Sequence, residues 1–207
     1  MIRTFVLIAA AVFLLGARRP PSVDYRLDVE PVAGQSPVLG VRIRFTGDAD
    51  GETRLELPDA YGSSTGAWRH LYGLQAKGAT MAEDGPAARR LRHKPNARLT
   101  VTYRVRSAYD ADPTGKDGPT DKGPVIRPSW FASRGDLVLA RPAGRDNEAA
   151  TFKWGRLPKG WTAASDLDHG RMGQPLTISD IEHSVVIGGA DLAVAQRPVT
   201  GGTLRTR

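Results

Sequence analysis

The fold is decided by the stretch Val23-Asp24-Tyr25-Arg26-Leu27-Asp28-Val29-Glu30, in which apolar and charged residues alternate without error. Successive side chains of an extended chain point to opposite faces, so this stretch predicts a β-strand with one buried and one charged face. Residues 39–45 repeat the pattern, with Arg42 and Arg44 on the charged side. The Gly-Gln-Ser-Pro sequence at 34–37 predicts a turn, and therefore an antiparallel hairpin.

Further stretches carry the same two-residue alternation over shorter lengths. Several one-sided strands joined by turns are typical of a β-sandwich, in which two sheets bury their apolar faces against each other. We therefore predict a mainly β fold, an antiparallel β-sandwich with one or two short helices. The additional strands are predicted at 53–57, 99–105, 137–139, 151–154, 185–187 and 192–196.

Two stretches have helical features. Residues 67–74 place apolar side chains at a three-residue spacing, which predicts a short helix. Residues 177–184 predict a second one, with Thr177 or Ser179 as its N-cap and Glu182 in the position of a capping box.

The composition excludes several classes of site. The chain has 207 residues and no cysteine, which excludes disulfides, iron–sulfur clusters, a thiol nucleophile and a cysteine zinc site. Its 23 glycines and 15 prolines are more than long helices tolerate, and the length predicts one domain. Residues 110–124 carry almost no apolar side chain, which predicts a mobile surface loop.

The N-terminus has the layout of a bacterial secretory signal peptide. Arg3 precedes an apolar run that ends near residue 17, and this run is shorter than the roughly 20 residues of a membrane-spanning helix. We expect a signal peptide at 1–17, a linker at 18–22, one domain at 23–200 and a tail at 201–207. The expected location is the periplasm or the exterior. An uncleaved leader, anchored in the inner membrane by residues 4–17, is the alternative and the only membrane association expected.

The net charge is positive but spread along the chain. It is +7, and removal of residues 1–17, which contain one arginine, lowers it to +6. The only dense basic run, 89–94, contains no aromatic residue for base stacking and is interpreted as a solvated turn, so no nucleic-acid partner is expected. A positive charge also attracts anionic polymers, so a module that binds the anionic polymers of the cell envelope is one open reading.

A nucleophile motif occurs once. Residues 62–66 read Gly-Ser-Ser-Thr-Gly, which fits G-x-S-x-G with Ser64 as the nucleophile. That motif needs a strand, a sharp turn and a helix, whereas Pro58 ends the preceding strand pattern here. A turn is the favoured interpretation, and a hydrolase that uses Ser64 is a minor alternative.

The acidic and histidine residues do not form a recognised metal motif. No H-E-x-x-H occurs, and the remaining candidate is Asp166-Leu167-Asp168-His169. Neighbouring residues of an extended chain diverge, so a hydrated turn is the favoured interpretation. We expect no metal, no cofactor and no catalytic residue in this chain.

One segment is singled out as a candidate partner contact. Arg127, Trp130 and Phe131 follow the polar loop directly. Aromatic side chains beside arginine are typical of interface anchors. The same aromatic residues on β-strands are also common in cores.

Several segments together resemble the N-terminal domain of the glycyl aminopeptidase-like metallopeptidases, gluzincins that carry a C-terminal PDZ domain. The Pro-x-Gly-Trp element at 158–161 is the most specific of them, and the resemblance covers about residues 23–200. The other segments are 24–29, 55–58, 101–105 and 184–189.

The resemblance implies a β-rich domain that precedes a thermolysin-like zinc domain. The zinc-binding H-E-x-x-H does not occur in this sequence, and residues 57–63 depart from the Trp-Thr-Pro-Gly-Ser-Tyr-like segment of the family. No catalytic residue is therefore carried over. The resemblance implies an exported, non-catalytic accessory domain whose partner is a peptide or a catalytic metallopeptidase domain.

Overall fold

The structure is a computed structural model, which describes residues 23–62, 65–111, 123–169, 175–193, 195–199 and 202–206. These ranges are dominated by β-strands, as the sequence predicts. The strands are β1 Val23–Glu30, β2 Val38–Thr46, β3 Glu52–Glu56, β4 Leu71–Lys77, β5 Ala79–Glu83, β6 Ala88–His93, β7 Arg98–Val105, β8 Val125–Ile126, β9 Trp130–Arg134, β10 Arg141–Pro142, β11 Ala149–Trp154, β12 Thr162–Ser165, β13 Leu176–Thr177, β14 Val185–Gly189, β15 Ala195–Val199 and β16 Gly202–Thr206.

The largest sheet has six strands in the order β13-β11-β1-β2-β7-β4. The predicted hairpin is confirmed, because β1 and β2 pair antiparallel with Tyr25 opposite Ile43 and Leu27 opposite Val41. On its other side β1 pairs with β11 in parallel, which departs from a purely antiparallel sheet. The strand that decides the fold therefore lies inside the sheet, with partners on both edges.

Two four-stranded sheets, β10-β3-β6-β5 and β12-β14-β9-β8, contribute to the same core as the large sheet. The apolar positions of β1, β2 and β7 are almost completely buried, and Leu55, Leu91, Phe131 and Val186 of the smaller sheets belong to the same cluster. The predicted β-sandwich is confirmed. β15 and β16 form a separate two-stranded ribbon.

The helical predictions are confirmed in part. The second helix exists as α1, Ile178–His183, and Thr177 is its N-cap. The capping box is completed by Asp180 and not by Glu182, because the helix begins two residues earlier than a Ser179 cap would allow. The predicted helix at 67–74 is wrong beyond residue 70. A 3-10 helix covers Ala67–His70, and the chain then continues as β4.

Some of the other strand predictions are confirmed and others are wrong. Those at 53–57, 99–105, 151–154 and 185–187 are confirmed as β3, β7, β11 and β14, and β15 overlaps the one at 192–196. The strand at 137–139 is wrong, since a 3-10 helix occupies Gly135–Leu137. The basic run is strand β6 instead of a turn.

Some predictions fall outside the described residues. They concern the leader at 1–17, the linker at 18–22 and most of the loop at 110–124. Within the described ranges, no helix is long and apolar enough to cross a membrane.

A buried tyrosine ties the large sheet to the irregular segment that replaces the predicted strand. The hydroxyl of Tyr103 donates a hydrogen bond to the carbonyl oxygen of Val138 at 2.8 Å and accepts one from the backbone N–H of Ala140 at 2.7 Å. All three residues are buried. Because irregular backbone at a core must have its polar groups paired, this side chain substitutes for a strand partner.

A second buried tyrosine of the same sheet lacks this function. The hydroxyl of Tyr25 is buried, and it has no hydrogen-bond partner among the described residues. Burial raises the pKa of this phenol far above its usual range. Tyr25 therefore stabilises the fold through the burial of its ring and not through its hydroxyl.

We predict opposite effects of removing the two hydroxyls. Tyr103→Phe leaves a buried carbonyl and a buried N–H unpaired, and it should lower the free energy of unfolding by about 2–4 kcal/mol, since each such group costs on the order of 1–3 kcal/mol. Tyr25→Phe should leave that free energy unchanged or raise it. Urea unfolding of both variants measures the difference. Equal losses would contradict this assignment.

Asp28, on the outer face of β1, connects this strand to the chain that follows β11. Its carboxylate accepts hydrogen bonds from the Arg26 guanidinium at 3.1 Å and from the backbone N–H of Arg156 at 2.6 Å. Burial pushes the pKa of Asp28 upward, but these hydrogen bonds and the charges of Arg26 and Arg42 outweigh it and hold the pKa below its usual value.

This depressed pKa makes a pH dependence of stability testable. The ionised carboxylate stabilises the fold above the pKa of an unfolded aspartate, about 3.9, and the contribution is lost as the pH falls through the lower folded pKa. Asp28→Asn should be less stable than wild type by about 1.5–3 kcal/mol at pH 7, the range for hydrogen bonds to charged groups. The gap should narrow between pH 5 and pH 3 in urea unfolding, and a constant gap would contradict the prediction.

Candidate interaction surface

The segment singled out in the sequence as a partner contact forms one strand of the sheet β12-β14-β9-β8. β9 pairs antiparallel with β14, so Trp130 lies opposite Gly189, Phe131 opposite Gly188 and Ala132 opposite Ile187. Alternation along the two strands therefore divides these residues between the core and the outer surface of the sheet.

The inward side of the pair is an aromatic cluster. Phe131 is 1% exposed and stacks against Trp161, with ring centroids 6.4 Å apart and planes 13° apart. Trp154 lies on another side of the same ring at 6.2 Å and makes an edge contact with Phe152. Such ring pairs stabilise a core beyond the area that they bury.

A glycine makes room for this cluster. A Cβ on Gly188 would lie 2.3 Å from the ring of Phe131. No side chain fits there without moving the ring, since atoms of the protein core are already in close contact.

The outward side of the pair is an apolar depression of about 390 Å³. Trp130 and Ala132 of β9 line it together with Ile187 of β14 and Leu192 beyond that strand. A Cβ on Gly189 would lie 2.8 Å from the carbonyl oxygen of Ser129 and 3.0 Å from the Cβ of Trp130, so the two strands are closely packed at this position. Contiguous exposed apolar surface of this kind marks interaction sites in proteins. We call this depression, defined by Trp130, Ala132, Ile187 and Leu192, the apolar groove.

The structure separates the three residues that the sequence grouped together. Trp130 is partly exposed and lines the groove, whereas Arg127 and Phe131 are buried. The Arg127 guanidinium donates hydrogen bonds to the carbonyl oxygen of Tyr109 at 2.9 Å and to the hydroxyl of Ser107. Of the three, only Trp130 offers a side-chain surface to a partner, and the contact itself stays a prediction.

Ile187 and Leu192 were missed by sequence reasoning. Their proximity to Trp130 depends on the pairing of β9 with β14, across more than fifty residues of chain. The Gly-Gly pair at 188–189 is the one local signal, because adjacent glycines in a strand indicate close packing of another group.

The two aspartates at 166 and 168 have structural roles. Asp166 and Asp168 lie in a 3-10 helix, Asp166–His169, instead of an open turn. The Asp168 carboxylate accepts hydrogen bonds from the indole N–H of Trp154 at 2.9 Å and from the backbone N–H of Ser165 at 2.8 Å. Asp166 accepts one from the backbone N–H of Val185. Both carboxylates thus connect neighbouring strands.

Other chemical candidates add no site on the described ranges. There, no group of three or more histidine, aspartate or glutamate side chains is close enough to hold a metal ion. Ser64 and the side chain of His169 lie outside the described residues.

Comparison with known proteins identifies solved structures that have a similar fold. No family model matches the chain, and no curated protein matches it. Among solved structures, it is similar to an aminopeptidase N family protein from Idiomarina loihiensis, with a TM-score of 0.65 and 14% identity over 88% of this chain and 32% of that one. It is also similar to a mutant M1 zinc metallopeptidase from Deinococcus radiodurans bound to a Tyr-Ser-Ala substrate, with a TM-score of 0.51 and 16% identity over 90% and 47%.

The fold is similar to the N-terminal part of M1 aminopeptidases. The resemblance noted in the sequence is confirmed at the level of the fold. The chain spans about a third to a half of the length of these enzymes.

We predict that the glycine under the groove is required for its shape. Gly188→Ala places a methyl group against the Phe131 ring and should lower the free energy of unfolding by about 1–3 kcal/mol, the usual cost of overpacking. Near-ultraviolet circular dichroism should report the displaced aromatic rings. In a Phe131→Leu background, which makes space, the same glycine substitution should cost clearly less. Equal costs in both backgrounds would mean that the ring does not limit this position.

Proposed function

We propose that this chain is an exported, non-catalytic accessory domain that associates with the catalytic part of a zinc peptidase. The single observation that supports it most is the fold similarity to the N-terminal part of M1 aminopeptidases, which extends over 88% of this chain but 32% of the longer enzyme. The predicted signal peptide supports the exported location.

The apolar groove is the surface that we assign to this association. A sheet face that partly exposes Trp130, Ile187 and Leu192 resembles the central part of a protein–protein interface, where aromatic and aliphatic side chains are enriched, and Asp191 is the charged residue that also lines it. Trp130 lies at one end of the groove on the outward side of β9, where a partner can pack against its indole ring. A catalytic peptidase domain is the occupant to which we commit, and a short peptide is the alternative that the experiment distinguishes.

The proposal that this chain is non-catalytic is tested on the purified protein. We expect no release of p-nitroaniline from glycyl- or alanyl-p-nitroanilide above the buffer rate, with or without added Zn²⁺. Release of the product that a chelator abolishes would overturn the non-catalytic assignment. Release that a chelator leaves unchanged but Ser64→Ala abolishes would instead support the serine hydrolase alternative.

The association is tested by site-specific photocrosslinking in the organism that produces the protein. A photoreactive amino acid at position 132, inside the groove, should crosslink to a polypeptide that carries an H-E-x-x-H zinc motif. The same amino acid at Arg92, an exposed position on β6, is the control and should give no such product. Equal crosslinking at both positions, or crosslinks at 132 to proteins without a zinc motif, would contradict the proposal.

A further inference from the structure

Several positively charged side chains lie together on the outer face of the six-stranded sheet, opposite the core. Strand register places the side chains of Lys153, Arg26 and Arg42 side by side on β11, β1 and β2. In the adjacent row Arg44 lies opposite Asp24. Neighbouring strands lie about 4.8 Å apart and residues i and i+2 about 7 Å apart, so these cations form a compact two-dimensional array.

The carboxylates of this face are already engaged. They all come from β1, and each one is paired with an arginine. Asp28 binds Arg26 at 3.1 Å, Asp24 binds Arg98 at 3.1 Å, and Glu30 binds Arg104 at 2.7 Å. Arg42, Arg44 and Lys153 form no ion pair with a described carboxylate, although the charge of Arg42 acts on Asp28 of the neighbouring strand. We call these three side chains the unpaired cations.

The array costs stability in the isolated domain. Like charges directly opposite each other on adjacent strands repel, and each such pair is destabilising. The basic run of β6 is arranged differently, because Arg90 and Arg92 bind Glu52, and Arg90 also binds Asp84. The cations of the outer face differ from Arg90 and Arg92 in that they lie side by side across neighbouring strands and include members without an ion pair, which leaves their charge available to a ligand.

The surface also has a suitable shape. Arg26, Arg42, Arg44 and Lys153 line a shallow depression of about 340 Å³ together with Asp24 and Trp154, and Arg42 also lines a second one of about 330 Å³ beside Asp28 and Glu30. The guanidinium fork matches the geometry of carboxylate and phosphate groups. A chain of repeated anionic groups can therefore lie across the strands and meet one cation after another.

We propose that the outer face of the large sheet binds an anionic polysaccharide through the unpaired cations, independently of the association proposed above. The two rows contain threonine, glutamine and lysine besides the residues already named, and no aromatic side chain on which a nucleic-acid base could stack. An exposed aromatic residue of the same face, Tyr72, lies opposite Arg104 in the adjacent row, so the poly(dT) arm of the test is needed to separate the two ligands. The two rows also offer no apolar centre of the kind that a stable contact with a folded acidic protein requires. An extended anionic sugar polymer fits both features, since it binds through repeated charges on a flat surface.

The test compares two triple variants of the full chain that lose the same charge. The test variant is Arg42→Gln, Arg44→Gln, Lys153→Gln. The control is Lys94→Gln, Arg106→Gln, Lys159→Gln, which removes three exposed cations that lie off the two rows. The probes are fluorescently labelled polygalacturonate and heparin, with labelled poly(dT) as the nucleic-acid arm, at about 0.15 M salt, where long-range charge effects are screened.

We expect wild type and the control variant to bind the polysaccharides with dissociation constants within about 2-fold of each other. The test variant should bind at least about 10-fold more weakly, because three charge-assisted contacts to the polymer are lost together. Its urea unfolding midpoint should equal or exceed that of wild type, because charge repulsion is removed. A structural role of the cations would lower it.

Three outcomes would overturn the proposal. Equal weakening in both variants would mean that net charge alone attracts the polymers. Tighter binding of poly(dT) than of either polysaccharide, lost in the test variant, would assign the face to nucleic acid. Absence of polysaccharide binding by wild type would remove the site altogether.

Discussion

The structure depends on the strict alternation of β1 in the middle of its largest sheet. Because β1 has partners on both edges, Tyr25 and Leu27 can reach the core only if the hydrogen-bond register is kept. A slip of one residue would turn the apolar set to solvent and bury Arg26 and Asp28. The burial of one face thus determines where every charge of the strand lies, and the neighbouring strands must be compatible with both faces.

That constraint explains the uneven charge of the outer face. The carboxylates of the face belong to β1, while β2 supplies Arg42 and Arg44 and β11 supplies Lys153. Each carboxylate is used by an arginine of its own or a nearby strand. Asp28 binds Arg26 and also accepts a hydrogen bond from the backbone N–H of Arg156, so this carboxylate fastens the chain after β11 to the sheet. The alternation that buries one face of these strands therefore also places the cations together on the other face.

Strands with clear alternation were predictable, and segments whose conformation depends on distant partners were not. Residues 71–77 show helical spacing in Leu71 and Leu74, yet they pair with β7 across an irregular register that the sequence does not reveal. The sequence predicts a strand at 137–139, but Tyr103 pairs the carbonyl oxygen of Val138 and the N–H of Ala140 in place of a neighbouring strand. Long-range pairing overrides local preference in both cases. The N-cap of α1 was predictable because capping is local, although the choice of Asp180 over Glu182 depended on where the helix begins.

The same distinction applies to the two candidate surfaces. Arg90 and Arg92 of the dense basic run bind Glu52 and Asp84, whereas the unpaired cations come from two separate strands, β2 and β11. The apolar groove likewise joins β9 to β14. The groove belongs to the sheet β12-β14-β9-β8 and the cationic face to the six-stranded sheet, so the two surfaces have no residue in common. Substitutions in one surface therefore leave the side chains of the other unchanged, so the two proposed interactions can be tested separately.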